Sequence, residues 1–249
     1  NPWPTFQQHN GAMDLFAQQW ASYRAVVEHD LMEHRAITAH TTATLEHWLT
    51  ARPEGARAPR MVDLGCGDLG LLAPVLKGLP LGSYTGLDLT AAVLPLAQQA
   101  LGEVSYPCRW LEGDLLGWAS DSGGDHEEPV DILHSAFAIH HLGDQEKQTL
   151  LQSLRTRIAP GGLFIWVDVF REPNESRDAY VQRYLHRIAS SWPQLSAHEQ
   201  EHVSHHLATY DNPADRGSIE TTASASGWQW SWAWNGTHQA EAMAVLTPA

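Results

Sequence analysis

The stretch Val62-Asp-Leu-Gly-Cys-Gly-Asp-Leu-Gly70 constrains the fold of this chain more than any other. An apolar run ends, glycines follow, and a helical pattern begins at once. That order describes a strand, a tight turn and a helix. Gly65 and Gly67 let the backbone approach a ligand where a Cβ would clash. With Gly70 they spell G-x-G-x-x-G, a pattern that also fits dinucleotide-binding βαβ units. From Arg60 onward, short apolar runs alternate with helical patterns. Strands are predicted at Met61–Leu64, Ser83–Leu89, Ser105–Leu111, Val130–Ser135 and Leu163–Phe170, and helices at Leu69–Leu79, Ala91–Leu101 and Asp144–Ile158. The rhythm predicts an α/β doubly wound, mostly parallel sheet with helices on both faces.

The flanks read differently. Residues 12–50 hold no Pro or Gly and carry apolar residues at helical spacing, including Trp20, Tyr23, Val26, Ile37 and Leu45. Residues 174–208 are again helical, interrupted at Pro193, with Ser196 and Glu199 spaced as a capping box. Asp215–Ser226 reads as a short helix ended by Gly227, and Trp228–Trp234 and Ala240–Leu246 as two strands. The chain therefore divides into a helical cap (1–59), a core (60–170), a helical lid (171–227) and a closing strand pair (228–249). Trp228, Trp230, Trp232 and Trp234 alternate at period two, which predicts one shared face. Four indoles pack under a helix or form a dimer face, so the chain is a monomer or a homodimer.

The formal net charge of −14 repels phosphate backbones and anionic lipid, which argues against a nucleic-acid partner. No apolar run is long enough to cross a membrane, and Asn1-Pro2-Trp3-Pro4 has no secretory pattern. Two cysteines, Cys66 and Cys108, make neither a disulfide framework nor a four-thiolate zinc site, and suit a reducing cytoplasm.

Three acids end strands on the same edge of the predicted sheet. Asp88 follows Gly70 by 18 residues, where an acid holds ribose hydroxyls. Asp63 stands at the mouth of the loop, where a carboxylate would repel a pyrophosphate but suit an ammonium. Asp114 could accept from an adenine amino group, with the Leu115 amide beside it. Together they describe a cationic amino-acid nucleoside. The same residues could instead cap helices, and a nicotinamide-dependent oxidoreductase or a non-catalytic nucleoside-binding module stays open on the glycine pattern alone.

With these motifs the chain resembles the class I S-adenosylmethionine-dependent methyltransferases, of the small-molecule type. The glycine motif is Val62–Gly70, the ribose acid Asp88, the adenine-side acid Asp114, the fourth-strand motif Asp131–Leu142, and the turn before the fifth strand Ala159-Pro160-Gly161-Gly162. The resemblance implies a Rossmann-like, seven-stranded sheet of order 3-2-1-4-5-7-6. It implies S-adenosyl-L-methionine as cofactor, S-adenosyl-L-homocysteine as product, and O- or N-methylation of a small molecule. It assigns the cofactor to Asp63, Gly65, Cys66, Gly67, Asp88, Leu89, Asp114, Leu115 and Ser135.

His140 and His141 follow the fourth strand, near where the methyl group would sit. Consecutive residues project differently, so one is expected to face the cavity. His140 is assigned as the base or hydrogen-bonding group, and His141 as a packed neighbour. His134, inside the strand, reads as a core histidine with a backbone partner. Trp20, Tyr23, Arg24, Tyr180, Tyr184 and Trp192 are candidate substrate walls, and Arg35, Arg171 and Arg183 could also meet a carboxylate. His198, His202 and His206 recur every four residues, as do metal ligands. With no third ligand fixed, that run is read as a solvated face and no metal is assigned.

Overall fold

The computed structural model describes residues 11–121 and 128–249, with side chains from Trp20 onward. Residues 1–10, the side chains of Leu15 and Phe16, and most of the acidic loop expected at 120–129 lie outside the described residues.

The strands are β1 (Arg60–Leu64), β2 (Ser83–Asp88), β3 (Cys108–Glu112), β4 (Val130–Ala136), β5 (Ile158–Arg171), β6 (Ala214–Asp215), β7 (Trp228–Asn235) and β8 (Glu241–Pro248). They form one sheet in the order β3-β2-β1-β4-β5-β8-β7. β1 to β5 are parallel, and β8 and β7 run antiparallel to their neighbours. This is the expected order with one addition, the two-residue β6 beside Phe170 and Arg171 of β5.

β4 and β5 are buried on both faces and read as continuous apolar runs. Along β5 the sides alternate. Phe164, Trp166 and Phe170 enter one core with Leu133 and Trp228, while Leu163, Ile165 and Val167 enter the other with Met61 and Met243. The first core is closed by α6 (Asp144–Arg157) and α9 (Arg216–Ala225), the second by α2 (His34–Thr50), α3 (Ala73–Lys77) and α4 (Leu94–Leu101). A third core joins α1 (Gly11–Glu28), α7 (Arg177–Ser191) and α8 (Ala197–Tyr210) over the ends of β5 and β8.

Local chemistry sets the boundaries. Ser176, Ser196 and Asp215 each accept a backbone N–H from the first turn of α7, α8 and α9, and Glu199 returns the bond in the capping box at Ser196. Gly227 ends α9 with φ +85°. α3 is shorter than predicted because Pro74 falls in its first turn. α5 (Leu115–Ser120), absent from the sequence reading, is started by Asp114, which accepts from Gly117.

The tryptophan strand departs from its simple reading. Trp228, Trp230 and Trp232 share the α9 side, but the β7–β8 register shifts between Trp232 and Trp234. The extra residue, Ala233, is a bulge that turns Trp234 to the opposite face, 6.2 Å from the His40 ring. Period two holds only while the ladder is unbroken.

Candidate active site

The strand order reverses between β1 and β4, and the loops leaving β1, β2, β3 and β4 open there into one cavity of about 780 Å³. The glycine loop is hooked over the end of β2. The amides of Gly65 and Cys66 both donate to the Leu87 carbonyl, at 2.8 and 2.9 Å, and the Gly67 amide donates to Asp88 Oδ2 at 2.9 Å. Gly65 has φ +75°, and a Cβ there would run into Ala138. Gly67 has φ +55°, and a Cβ there would meet nothing within 4 Å, so the loop backbone borders open cavity. Leu69 and Phe137, both on the wall, also hold positive φ, at 57° and 53°. Such strain concentrates at binding sites.

Asp63, Gly65, Cys66, Gly67, Asp88, Leu89, Asp114 and Leu115 all line this cavity. Asp88 accepts from Gly67 and, through Oδ1, from the Thr90 amide at 2.8 Å. Each oxygen keeps a second lone pair for a hydroxyl. Burial raises its pKa, against the lowering effect of those amides. Asp114 caps α5 with Oδ2, and the carboxylate retains its other oxygen. Asp63, expected to meet an ammonium, is 2% exposed and already holds two partners: the Tyr84 hydroxyl at 2.9 Å and His134 Nδ1 at 2.7 Å. It contributes a fixed, buried carboxylate at the cavity floor. His134 therefore has a side-chain partner, where a backbone one was expected. Burial pushes the Cys66 thiol up, leaving it an uncharged wall group. The open space over Gly67, with Asp88 and Asp114 on the wall of the same cavity, fits an adenosine-bearing cofactor.

The structure corrects several of the assignments. Ser135 is fully buried, and its hydroxyl donates to the Leu64 carbonyl at 2.8 Å, so it joins β4 to β1 and does not line the cavity. Tyr180 and Tyr184 are 0% and 3% exposed, in the core between α7 and α8; Trp192 is buried with them. Their helical spacing marks a packed face, and none borders the cavity. Arg171 and Arg183 are held by Glu175 and backbone carbonyls. Tyr23 and Arg24 do line the cavity; Trp20 does not, with its ring 6.4 Å from Tyr23.

His140 is corrected as well. Its backbone N–H and Nδ1 both bind Asp168, at 3.0 and 2.6 Å, and Nε2 stands 3.4 Å from Asp211 Oδ1. Burial disfavours the charged ring, but the two carboxylates outweigh it and push the pKa up to about 10. A ring already protonated at neutral pH is no base. His141 is the one on the cavity wall. Burial and the charge of His140 hold its pKa down to about 3. The loop carrying both is pinned by Lys147 of α6, 1% exposed, whose Nζ donates to the carbonyls of Leu142 and Asn212.

Sequence reasoning gave His34 no role. It opens α2 on the inward stripe His34, Ile37, Thr41, Leu45, is 2% exposed, and lines the cavity. Neither ring nitrogen has a hydrogen-bond partner among the described residues. Burial holds its pKa down to about 4. The rings of Tyr23 and Phe137 flank it, at 6.3 and 5.4 Å. The signal was present: a histidine in register with three core positions is a buried polar group that needs a partner.

A methyltransferase domain model matches residues 62–164. A trans-aconitate 2-methyltransferase of Azoarcus sp. strain BH72 is 33% identical over 115 residues, 46% of this chain and 41% of that protein. An uncharacterized methyltransferase of Geobacillus kaustophilus is 29% identical over 71% of this chain and 77% of its own length. The chain spans about half the length, or less, of the trans-aconitate 2-methyltransferases it matches. Among solved structures, an S-adenosylmethionine-bound amino pentose methyltransferase from Micromonospora echinaspora superposes with a TM-score of 0.55 at 18% identity, covering 90% of this chain and 97% of that one. With the sheet order and the glycine loop, these likenesses place a methyltransferase domain at residues 62–164, on a sheet with the fold of solved S-adenosylmethionine-dependent methyltransferases.

Proposed function

We propose that the chain methylates an oxygen or nitrogen of a small molecule held between the glycine loop and the wall formed by His34, Tyr23 and Arg24. The observation that carries this is His34, a buried imidazole on the cavity wall with both nitrogens unmatched. A polar group so buried costs free energy unless a ligand supplies its partner. S-adenosylmethionine, when bound, supplies an electrophilic methyl group. The chain's own residues have the remaining tasks. Asp88 and Asp114 hold the nucleoside, the α1–α2 wall excludes water, and His34 accepts a hydrogen bond from the acceptor and aims its lone pair.

None of the three histidines has a pKa suited to proton transfer at neutral pH: His34 is near 4, His141 near 3 and His140 near 10. Catalysis here is alignment, with the proton of a neutral acceptor lost to water. Arg24 is the one arginine or lysine on the wall among the described residues, which also carries Glu28, Asp68 and Glu146. That balance suits an acceptor with at most one carboxylate, although the relatives named for trans-aconitate act, by that name, on a more acidic molecule.

Calorimetry with S-adenosylhomocysteine, followed by transfer of a labelled methyl group to a metabolite library, tests the reading. With an acceptor in hand, His34→Gln should lower kcat/KM by about a hundredfold and leave S-adenosylhomocysteine affinity unchanged. A variant with the wild-type rate would move the acceptor away from α2.

A further inference from the structure

Asp211, just past α8, is 7% exposed, and its Oδ1 completes no hydrogen bond among the described residues. Three imidazole nitrogens nevertheless surround that oxygen: His140 Nε2 at 3.4 Å, His141 Nδ1 at 3.8 Å and His206 Nε2 at 3.7 Å. These separations are long for a hydrogen bond. They are close to the edge of a tetrahedron whose corners lie 2.0–2.1 Å from its centre, about 3.4 Å. The ligand atoms of His140, His141 and Asp211 all fall within 4.8 Å of one another.

The surroundings of His140 match the same reading. Asp168 accepts from its Nδ1 at 2.6 Å and is itself held by Trp166 Nε1 and the Val169 amide, at 3.0 and 2.9 Å. A carboxylate behind one ring nitrogen fixes the ring and directs the other nitrogen outward, the arrangement found behind metal-bound histidines. Two imidazoles and one carboxylate from one side leave coordination positions open, and His141 stands on the cavity wall.

We propose that His140 Nε2, His141 Nδ1 and Asp211 Oδ1 bind a divalent transition-metal ion of the zinc class, with His206 beside the site; the ion displaces to solvent the Nε2 proton that His140 carries in its absence. The open position takes an oxygen or nitrogen of a molecule in the cavity. That use of the ion rests on the methyl-transfer reading; binding of the ion does not. The pair His198 and His202 on α8, with rings 4.2 Å apart, lacks such a carboxylate and serves as the control.

The test uses the full chain, stripped with chelator and titrated with zinc by calorimetry and with cobalt(II) by visible absorption. The expected result is one equivalent bound, with the spectrum of a low-symmetry cobalt site. His141→Ala and Asp211→Asn should each abolish it, Asp168→Asn should weaken it about 10–100-fold, and His198→Ala should leave it unchanged. His141→Cys should restore binding and add a sulfur-to-cobalt charge-transfer band. S-adenosylhomocysteine affinity, measured on the same variants, reports an intact fold and tests the methyltransferase reading separately. No saturable binding to the wild type, or binding indifferent to both His141→Ala and Asp211→Asn, would overturn the proposal.

Discussion

At the residue scale, burial acts on His34 in a way that pH can read. An unfolded histidine titrates near 6.5, and this one near about 4. Between those values the unfolded chain binds a proton that the folded chain refuses, so stability falls as pH drops through that window. The loss is about 1.4 kcal/mol per pH unit and about 3 kcal/mol in all; above 6.5 the group contributes nothing. In urea denaturation at about pH 7 and about pH 5, the wild type should lose about 2 kcal/mol more than His34→Gln. Equal losses would put the ring in contact with water. Gly67→Val should remove S-adenosylhomocysteine binding in calorimetry, since the side chain would fill open cavity from a backbone at φ +55°. The strain costs roughly 1–2 kcal/mol, so the variant should still melt cooperatively; normal affinity would route the cofactor elsewhere. The places of Asp88, Asp114 and the glycines on the cavity wall were legible because they follow from a strand end and a fixed spacing. The exchange of His140 and His141 was not, because the carboxylates that decide it, Asp168 and Asp211, stand 28 and 71 residues from His140 in sequence.

At the scale of elements, a buried ion pair fastens the helical layer to the sheet. Arg187 of α7 reaches both oxygens of Glu241 on β8 at 2.9 Å, and the Leu31 carbonyl at 2.6 Å; the Tyr184 hydroxyl also donates to Glu241. Glu241 is fully buried. Glu241→Ala leaves a guanidinium uncompensated and should cost about 3–5 kcal/mol in chemical denaturation. A loss below about 1 kcal/mol, the scale of an exposed pair, would mean that water reaches Arg187. This fastening explains why Tyr180 and Tyr184 looked like substrate walls. Aromatic spacing on a lid helix marks one apolar face, and spacing alone does not say whether that face meets ligand or protein. The β7 bulge escaped the sequence for a related reason: Ala233 is an ordinary strand residue, and only the fixed register of β8 makes it surplus.

For the whole molecule, the placement of β1, β2 and β3 was readable because each is a short run with a glycine or acid at its end, whereas the sheet order came with the family resemblance. Among the described residues no helix is long and apolar enough to cross a membrane. The cavity rim is a different matter, since the loop after β4 that forms part of it is tied through Lys147 to Asn212, just past α8. Lys77 and Lys147 are the two lysines of the chain. Lys77 ends α3 in solvent, whereas Lys147 is sealed beneath the rim with its ammonium on two carbonyls. Burial lowers its pKa to about 8, so its amine would be a good nucleophile if a reagent could reach it. The chain therefore carries its own clock. Acylation by an amine-directed reagent should be immediate at Lys77, and at Lys147 it should proceed only as fast as the rim parts. The ratio of the two yields, read by peptide mass spectrometry against time, measures how often the cavity mouth opens; equal rates would mean that the two carbonyls do not hold it shut.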